Sequence, residues 1–436
     1  MNLTLDLPVA SLGRLDRGPA QRFALGLLCL FLLTAATASR ATELAFSLDD
    51  AVRLALANAP MIEAREAGRA AAAEEVGRAA ALPDPVLTFG VQNLPFAGAD
   101  AYSLDDDRMT MRRIGFTQAL PSRAKREARR DSALALQEQA EANQLATVLD
   151  VKRAAASAWI GLWAAERERS LLVELREQAR LAVDAAKASL GGGKGSASDA
   201  LAARSAELDL ENRIDDAQAR VDQAKAGLQR WTGANLPQQI ASAPDFSMLP
   251  TTPAELLENF DRQAPLLVWD AREASADAAL GMANAEKRPD WSIGAGFARR
   301  GAGASNVVWL EVGIGLPVFT ANRQDRGVNA RRSDLQAIRA AHEDARRAQE
   351  ESVRGVLAQW SALGRKATRL GESILPLNRD RSATALAAWS GGASLADWLD
   401  AQRDEISQRI EYARVLADWG RAWAALAYLL PTGGVR

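Results

Sequence analysis

The sequence predicts a mainly α-helical, internally duplicated chain with a small β part. Three observations carry this. "GKGSASDALAA" (193–203) returns as "GGASLADWLDA" (391–401), an offset of 198 within 436 residues. Between 123 and 189 there is no proline and one glycine, and 323–389 is a similar helical run. Composition is 48% hydrophobic with only 3 tyrosines and 10 phenylalanines, and alanine supplies much of the apolar content, which suits close-packed helices better than an all-β fold. The net charge of −2 gives no electrostatic case for a nucleic-acid partner.

The N-terminus, 1–41, reads as an export signal. Arg14, Arg17 and Arg22 precede the apolar run "FALGLLCLFLL" (23–33), and small residues follow, with cleavage expected after Ala38 or Ala41. The run has about 11 residues against the ~20 that span a bilayer as a helix. Cys29 is the only cysteine and lies inside this run; Gly26-Leu27-Leu28 before it departs from the lipoprotein pattern. The mature chain then has no disulfide and no cysteine-based metal site or nucleophile. No later apolar segment reaches helix-spanning length, so entry into a membrane would require strands.

The first repeat, 42–231, opens with "SLDDAVRLALANAP" (47–60); the second, 254–430, follows "TPAELLENFDRQAP" (252–265). Helical stretches then end at Pro83-Asp84 and Pro289-Asp290. Hairpins are expected over 86–120 and 291–318. Leu87, Phe89 and Val91 alternate with Thr88, Gly90 and Gln92. Trp291, Ile293, Ala295 and Phe297 alternate with Ser292, Gly294, Gly296 and Ala298, and Val308, Leu310, Val312 and Ile314 alternate with Val307, Trp309, Glu311 and Gly313. Period-two alternation gives one apolar and one small or polar face, which suits either a half-buried soluble sheet or a lipid-facing barrel wall. Both turns, "PFAGADAYSLDDD" (95–107) and "RRGAGASN" (299–306), read as external loops.

Long helices follow over 123–189 and 323–389, with Pro376 expected to interrupt and bend the second. About 65 residues at 1.5 Å each is ~100 Å, beyond an ordinary globular core and suggestive of coiled-coil packing. Glycines at 191–195 and 391–392 break these helices, and returning helices are expected over 196–231 and 394–429. Ser196 and Ser394 are placed to cap them, with Asp199 and Asp397 at capping-box spacing. A proline-rich connector occupies 232–253, and a short tail 431–436.

Four strands cannot close a barrel, since the smallest bilayer barrels have about eight and open edges are not tolerated in lipid. The chain must therefore oligomerise if its strands enter a membrane. Strand spacing does not choose between two, three or four copies.

The duplicated tips, the two hairpins and "FTQALPSRAKREARRDSA" (116–133) with its echo "IGLPVFTANRQDRGVNAR" (314–331) resemble the TolC family of outer-membrane efflux channels. "LPDPVLTFGVQNLP" and "FTQALPSRAKREA" are most similar to the branch serving cobalt-zinc-cadmium exporters. The resemblance implies a homotrimer with one shared twelve-stranded β-barrel in outer-membrane lipid and a coiled-coil barrel of helices crossing the periplasm. It implies a passive conduit for substrate, heavy-metal cations in this branch. The partners would be a proton-driven inner-membrane pump and a periplasmic adaptor, the membrane fusion protein. Alternatives are an outer channel for drug efflux or one-step protein secretion, or, in another class, a periplasmic coiled-coil scaffold.

Candidate functional residues follow from this reading. Asp397 and Asp400, at i and i+3, match the family's aperture aspartates; as a ring they would bind cations and disfavour anions. The alternative for Asp397 is a helix-start carboxylate stabilised by the macrodipole. The first half keeps Asp199 but has Ala202 where Asp400 would correspond. Gly193, Lys194, Ser196, Asp199, Gly391, Gly392 and Ser394 form the tips that would dock an adaptor; Trp389 and Trp398 would either join them or pack between helices. Glu311 is a candidate lumen charge. Asp100, Asp105, Asp106 and Asp107 suggest an acidic outer mouth or a solvated loop. His342 is expected to be a solvated surface residue, and Met109 and Met111 to sit on a strand against lipid or neighbours. No metal site, cofactor or catalytic constellation is expected, and "SLGGGKGS" (189–196) lacks the strand a phosphate loop needs.

Overall fold

The computed structural model describes residues 45–193, 195–233 and 239–431. The export signal with Cys29, Lys194, part of the connector and the end of the tail lie outside them. One small unit contributes Phe46 and 239–241, joined by a parallel bridge in which the Phe46 amide donates to the Gln239 carbonyl at 2.9 Å and the Ala241 amide to the Phe46 carbonyl at 3.1 Å. The other unit, 47–236 and 242–436, holds every element below.

Each repeat opens with a capping box. Helix α1 (Leu48–Asn58) is capped by Ser47 with Asp50, and α6 (Pro253–Glu258) by Thr252 with Glu255. In each, the hydroxyl accepts an orphan amide of the first turn and the carboxylate returns to the cap amide. Helix α2 (Pro60–Ala79) begins on a proline and buries none of its twenty residues. Strands β1 (Val86–Gln92) and β2 (Met111–Leu120) follow, then α3 (Arg123–Val173), α4 (Arg176–Gly191) and α5 (Ala197–Thr232). The second repeat runs α6, α7 (Trp269–Ala285), β3 (Asp290–Arg300), β4 (Val307–Gly315), α8 (Gln324–Arg369), α9 (Leu375–Ser390) and α10 (Leu395–Ala427). Helix α5 ends at Gly233, whose φ of 65° is the left-handed cap, and the Asn58 side-chain amide donates to the carbonyl of the buried Thr232 at 2.7 Å.

The helix expected over 123–189 breaks at Glu174-Leu175. The Leu175 amide donates to the Leu172 carbonyl, a tightened turn that leaves the Leu171 carbonyl without its helical partner. Pro376 does interrupt its helix, through a π turn, Leu370–Ile374, in which the Leu375 amide reaches the Leu370 carbonyl before the helix resumes. Proline has no amide for the ordinary ladder, and the inserted residue re-routes it.

The strands form one antiparallel sheet in the order β1-β2-β3-β4. Helix α3 packs against α1, α2, α5, α7 and α10. The connector is a wedge between helices. Phe246 is buried among Trp163, Trp419 and Trp423 at ring separations of 5.7–5.9 Å. Trp360 Nε1 donates to the Phe246 carbonyl at 2.8 Å and Trp423 Nε1 to the Met248 carbonyl at 2.7 Å. Gly420 makes room for it, since a Cβ there would lie 2.7 Å from Ile160 Cγ2 and 2.9 Å from Phe246 Cζ.

Candidate channel wall and helix tips

Residues opposed across an antiparallel ladder share a face. One face of the sheet therefore carries successive rows: Leu120, Trp291 and Ile314; Gln118, Ile293 and Val312; Leu87, Phe116, Ala295 and Leu310; Phe89, Ile114, Phe297 and Val308. This apolar face is bare: Phe89 is 80% exposed, Val308 79% and Leu310 76%. A soluble sheet would cover such a face with helix. Among the described residues no helix is long and apolar enough to cross a membrane.

The opposite face carries Gly115, Gly294, Gly296, Gly313, Thr88 and Thr117, with Arg113, Trp309 and Glu311 rising from it. Trp309 lies flat over two glycines. A Cβ at Gly296 would meet its ring at 2.2 Å and the Ile114 carbonyl oxygen at 2.6 Å; one at Gly115 would meet the ring at 2.9 Å. The Arg113 guanidinium stacks 4.8 Å from the Trp309 ring and donates to Gln92 Oε1 at 2.9 Å. Glu311 is exposed opposite Gly294. Sequence reading found Glu311 but missed Trp309 and Arg113, because a tryptophan on the small face breaks the alternation until the glycines beneath it are seen. The sheet is fixed to the helices by Lys125, buried on α3, whose Nζ lies 2.7 Å from Asp290 Oδ2 and 3.7 Å from Glu286 Oε2. The other Asp290 oxygen accepts the Ser122 amide at 3.0 Å.

Three of the four loop aspartates already have partners in the loop or at the start of β2. Asp105 pairs with Arg112, Asp106 accepts the Ser103 hydroxyl at 2.6 Å, and Asp107 accepts the Met109 amide and the Thr110 hydroxyl, each at 3.2 Å. The methionine expectation is corrected. Met109 is in the loop, with its sulfur 3.4 Å from Arg300 Nη2, and Met111 opens β2 on the small face opposite Gln92 and Arg300. The histidine expectation is also corrected. His342 stacks on Trp269 (5.5 Å, 6°), its Nδ1 is 2.7 Å from Glu273 Oε1, and its Nε2 is buried without a partner among the described residues. Its charged sequence neighbours hid an apolar ring one helix away.

The two tips meet. Trp398 is 2% exposed, packs with Val183, Ala186 and Leu395, and stacks on the half-buried Trp389 at 6.1 Å. Between the tips lies a cleft of about 350 Å³, lined among others by Gly195, Asp199, Gly391, Gly392 and Ser394. The first tip is one residue longer. Gly192 and Gly391 each follow a helix end, at φ −82° and −88°, and Gly193 and Gly392 take positive φ, 70° and 105°. Gly193 thus corresponds in geometry to Gly392, not to Gly391, and the offset falls to 198 only after the turn.

The caps differ as well. Ser196 and Asp199 complete a capping box (3.1 and 3.2 Å). Ser394 accepts only the Ala396 amide, at 3.2 Å, and Asp397 does not return to it. The exposed Asp397 carboxylate is unpaired among the described residues, while Asp400, exposed on the same helix, holds Arg403 at 2.9 Å. No group of three or more His, Cys, Asp or Glu among the described residues is placed to hold a metal ion.

A bare apolar sheet face, a polar face opposite and helices of 51 and 46 residues suit a sheet that enters lipid and is carried on long helices. Residues 51–234 match the family model described as outer membrane efflux protein. It is similar to the cobalt-zinc-cadmium resistance protein CzcC of Cupriavidus metallidurans, 25% identical over 312 residues covering 70% of this chain and 73% of that one. In fold it is similar to CusC (TM-score 0.75, 17% identity, 89% of this chain and 93% of that one). It is also similar to the open MtrE channel of Neisseria gonorrhoeae (TM-score 0.68, 17% identity, 89% and 91%).

Proposed function

We propose that three copies of this chain form one outer-membrane conduit that passes heavy-metal cations outward from an inner-membrane pump through a periplasmic adaptor. The carrying observation is that the duplication makes some contacts only once. In-chain, α3 packs on α7 and α10, and β2 pairs with β3. The equivalents by repeat would be α8 on α2 and α5, and β4 on β1. None of these is made at comparable extent within the chain, so α2, the outer side of α8 and both sheet edges are left for the next copy.

The relationship also predicts the register between copies. Val312 stands to Phe116 as Pro317 to Pro121, and Phe89 stands to Ala295 as Asp84 to Asp290. The observed pair Phe116 and Ala295 then maps onto Val312 against Phe89 of the next copy. Phe89→Cys with Val312→Cys, in a mature chain expected to lack other thiols, should oxidise to a closed ring of three in outer-membrane fractions. A chain that stays monomeric, or that salt alone releases from the membrane, refutes the assembly.

The metal substrate is supported by the similarity to CzcC. It is tested by deleting the gene and measuring tolerance to zinc, cobalt, cadmium, copper and hydrophobic drugs; sensitivity to drugs alone refutes it. Within the conduit, Asp397 and Asp400 are the aperture carboxylates, Glu311 is a lumen charge, and the tip residues Gly193, Lys194, Ser196, Asp199, Gly391, Gly392 and Ser394 receive the adaptor. The uncommitted Asp397 supports the first of these assignments. No step here is enzymatic, and the driving force belongs to the pump.

A further inference from the structure

The apolar face of the sheet ends abruptly at one row. Beyond Phe89, Ile114, Phe297 and Val308 come Val91, Arg112 and Arg299, with the two arginines directly opposed in the β2–β3 register. Like charges opposed across a ladder repel. Arg112 is relieved by an ion pair to Asp105 from the loop above. Arg299 is exposed and its side chain makes no hydrogen bond or ion pair among the described residues, while the side chain of its neighbour Arg300, on the other face, donates to the Arg108 carbonyl at 3.1 Å.

Height supports a role at the membrane boundary. From Trp291 to Arg299 is eight residues of strand. At ~3.4 Å each and a tilt of about 40° this rises about 20 Å, close to the apolar band of about 25 Å in outer-membrane barrels. Trp291 lies at the end nearer the helices and Arg299 at the end nearer the hairpin loops. With the helices in the periplasm, Arg299 stands where the outer-leaflet headgroups begin.

We propose that Arg299 and Arg112 form a lipid-phosphate site on the outside of the barrel, one per copy, which binds the phosphorylated headgroup of an outer-leaflet glycolipid. A guanidinium is suited to phosphate because its planar donors engage two oxygens at once. An uncompensated guanidinium at the lipid boundary gains from an anion there, and the phosphate also relieves its repulsion with Arg112. Asp105 competes for Arg112, so the site is strongest on the Arg299 side. This rests on the outer-membrane assembly proposed above.

The test is native mass spectrometry of the detergent-purified assembly titrated with bisphosphorylated lipid A, with its dephosphorylated form, with phosphatidylethanolamine and with inorganic phosphate. The wild-type assembly should retain bisphosphorylated lipid in preference to the other three. Arg299→Gln should weaken retention about fivefold, at about 1 kcal/mol per basic residue. Arg299→Lys should keep most of it, and Asp105→Asn should strengthen it by freeing Arg112. Equal retention by Arg299→Gln, or equal retention of the dephosphorylated lipid, overturns the site while leaving the assembly standing. Saturation by inorganic phosphate alone overturns the lipid assignment. A monomeric, detergent-independent chain removes the site together with the assembly.

Discussion

Arg409 holds the helix break at 174–175, and its removal should be among the most damaging single changes in the helical part. Its Nη2 and Nε donate to Glu405 Oε1 at 2.7 and 3.2 Å, and its Nη1 donates to Glu174 Oε2 at 2.9 Å and to the Leu171 carbonyl at 3.2 Å. The last of these is the carbonyl orphaned by the tightened turn. Arg409 is 12% exposed at its side chain and Glu405 3%. Arg409→Ala would leave a buried carboxylate without a partner, a change that costs about 3–5 kcal/mol. The carbonyl would add to this, since an unsatisfied buried acceptor costs about 1–3 kcal/mol, though the two are not additive. Replacing both ions by apolar residues, Arg409→Met with Glu405→Met, removes the stranded charge. It should therefore cost much less than Arg409→Ala alone. Urea unfolding of the detergent-purified protein measures the cycle. Arg403→Ala is the control, because the Arg403–Asp400 pair is 69% and 64% exposed and worth about 0.2–1 kcal/mol. An Arg409→Ala loss no larger than that of Arg403→Ala would refute the claim that this guanidinium supports the break.

Three further outcomes are expected. Gly296→Ala should destabilise the sheet by about 1–3 kcal/mol, because the new Cβ meets a backbone oxygen at 2.6 Å and moving Trp309 alone cannot relieve it; Gly90→Ala, with open space at its Cβ, should leave the heat-induced dissociation temperature unchanged. Burial raises the Glu166 carboxyl above its ordinary value of 4.5, against the pull of Lys225 and Arg169, so its stabilising contribution is complete below 4.5 and is lost as pH rises through the folded value. Glu166→Gln should thus melt higher than wild type at pH 7, with the gap closing by pH 4, and a gap constant with pH would contradict the assignment. Asp397→Ala with Asp400→Ala should raise single-channel conductance and weaken block by divalent cations, and unchanged conductance and block would remove the aperture assignment.

What could be read from the residues depended on how local each signal was. Period two placed Phe89, Leu310 and their neighbours on one face because alternation needs no knowledge of the partner strand. The cap at Ser196 with Asp199 is equally local, three residues from cap to partner, although the same spacing at Ser394 and Asp397 does not close a box. The helix break at 174–175 was not legible, since no glycine or proline marks it. It is stabilised by Arg409, 235 residues from Glu174. Phe246 was hidden for the same reason: proline-rich surroundings describe its backbone, while four tryptophans from elsewhere in the chain decide that it is a wedge. His342 was misjudged because its sequence neighbours are charged, whereas its spatial neighbours are Trp269 and Glu273.

The two halves have the same plan but are not interchangeable, and the differences fall at the helix tips proposed as the aperture. A ring of three duplicated chains presents six near-equivalent helix pairs. If all six tips were identical, each would carry the same cap and the same charge. Here the first tip commits its aspartate to a capping box through Asp199, while the second leaves Asp397 uncommitted and adds Asp400, where the first has Ala202. The second half also carries the π turn before Pro376, where Gly371 lets Tyr412 approach to 3.1 Å of its would-be Cβ. A helix with a π turn has a weakened hydrogen-bond ladder at that point. Both halves interrupt this helix at the same place, the first by the break at 174–175 that Arg409 ties down and the second by the π turn, and the unpaired Asp397 belongs to the second. If the aperture widens by bending helices, the second pair should move while the first holds the wall.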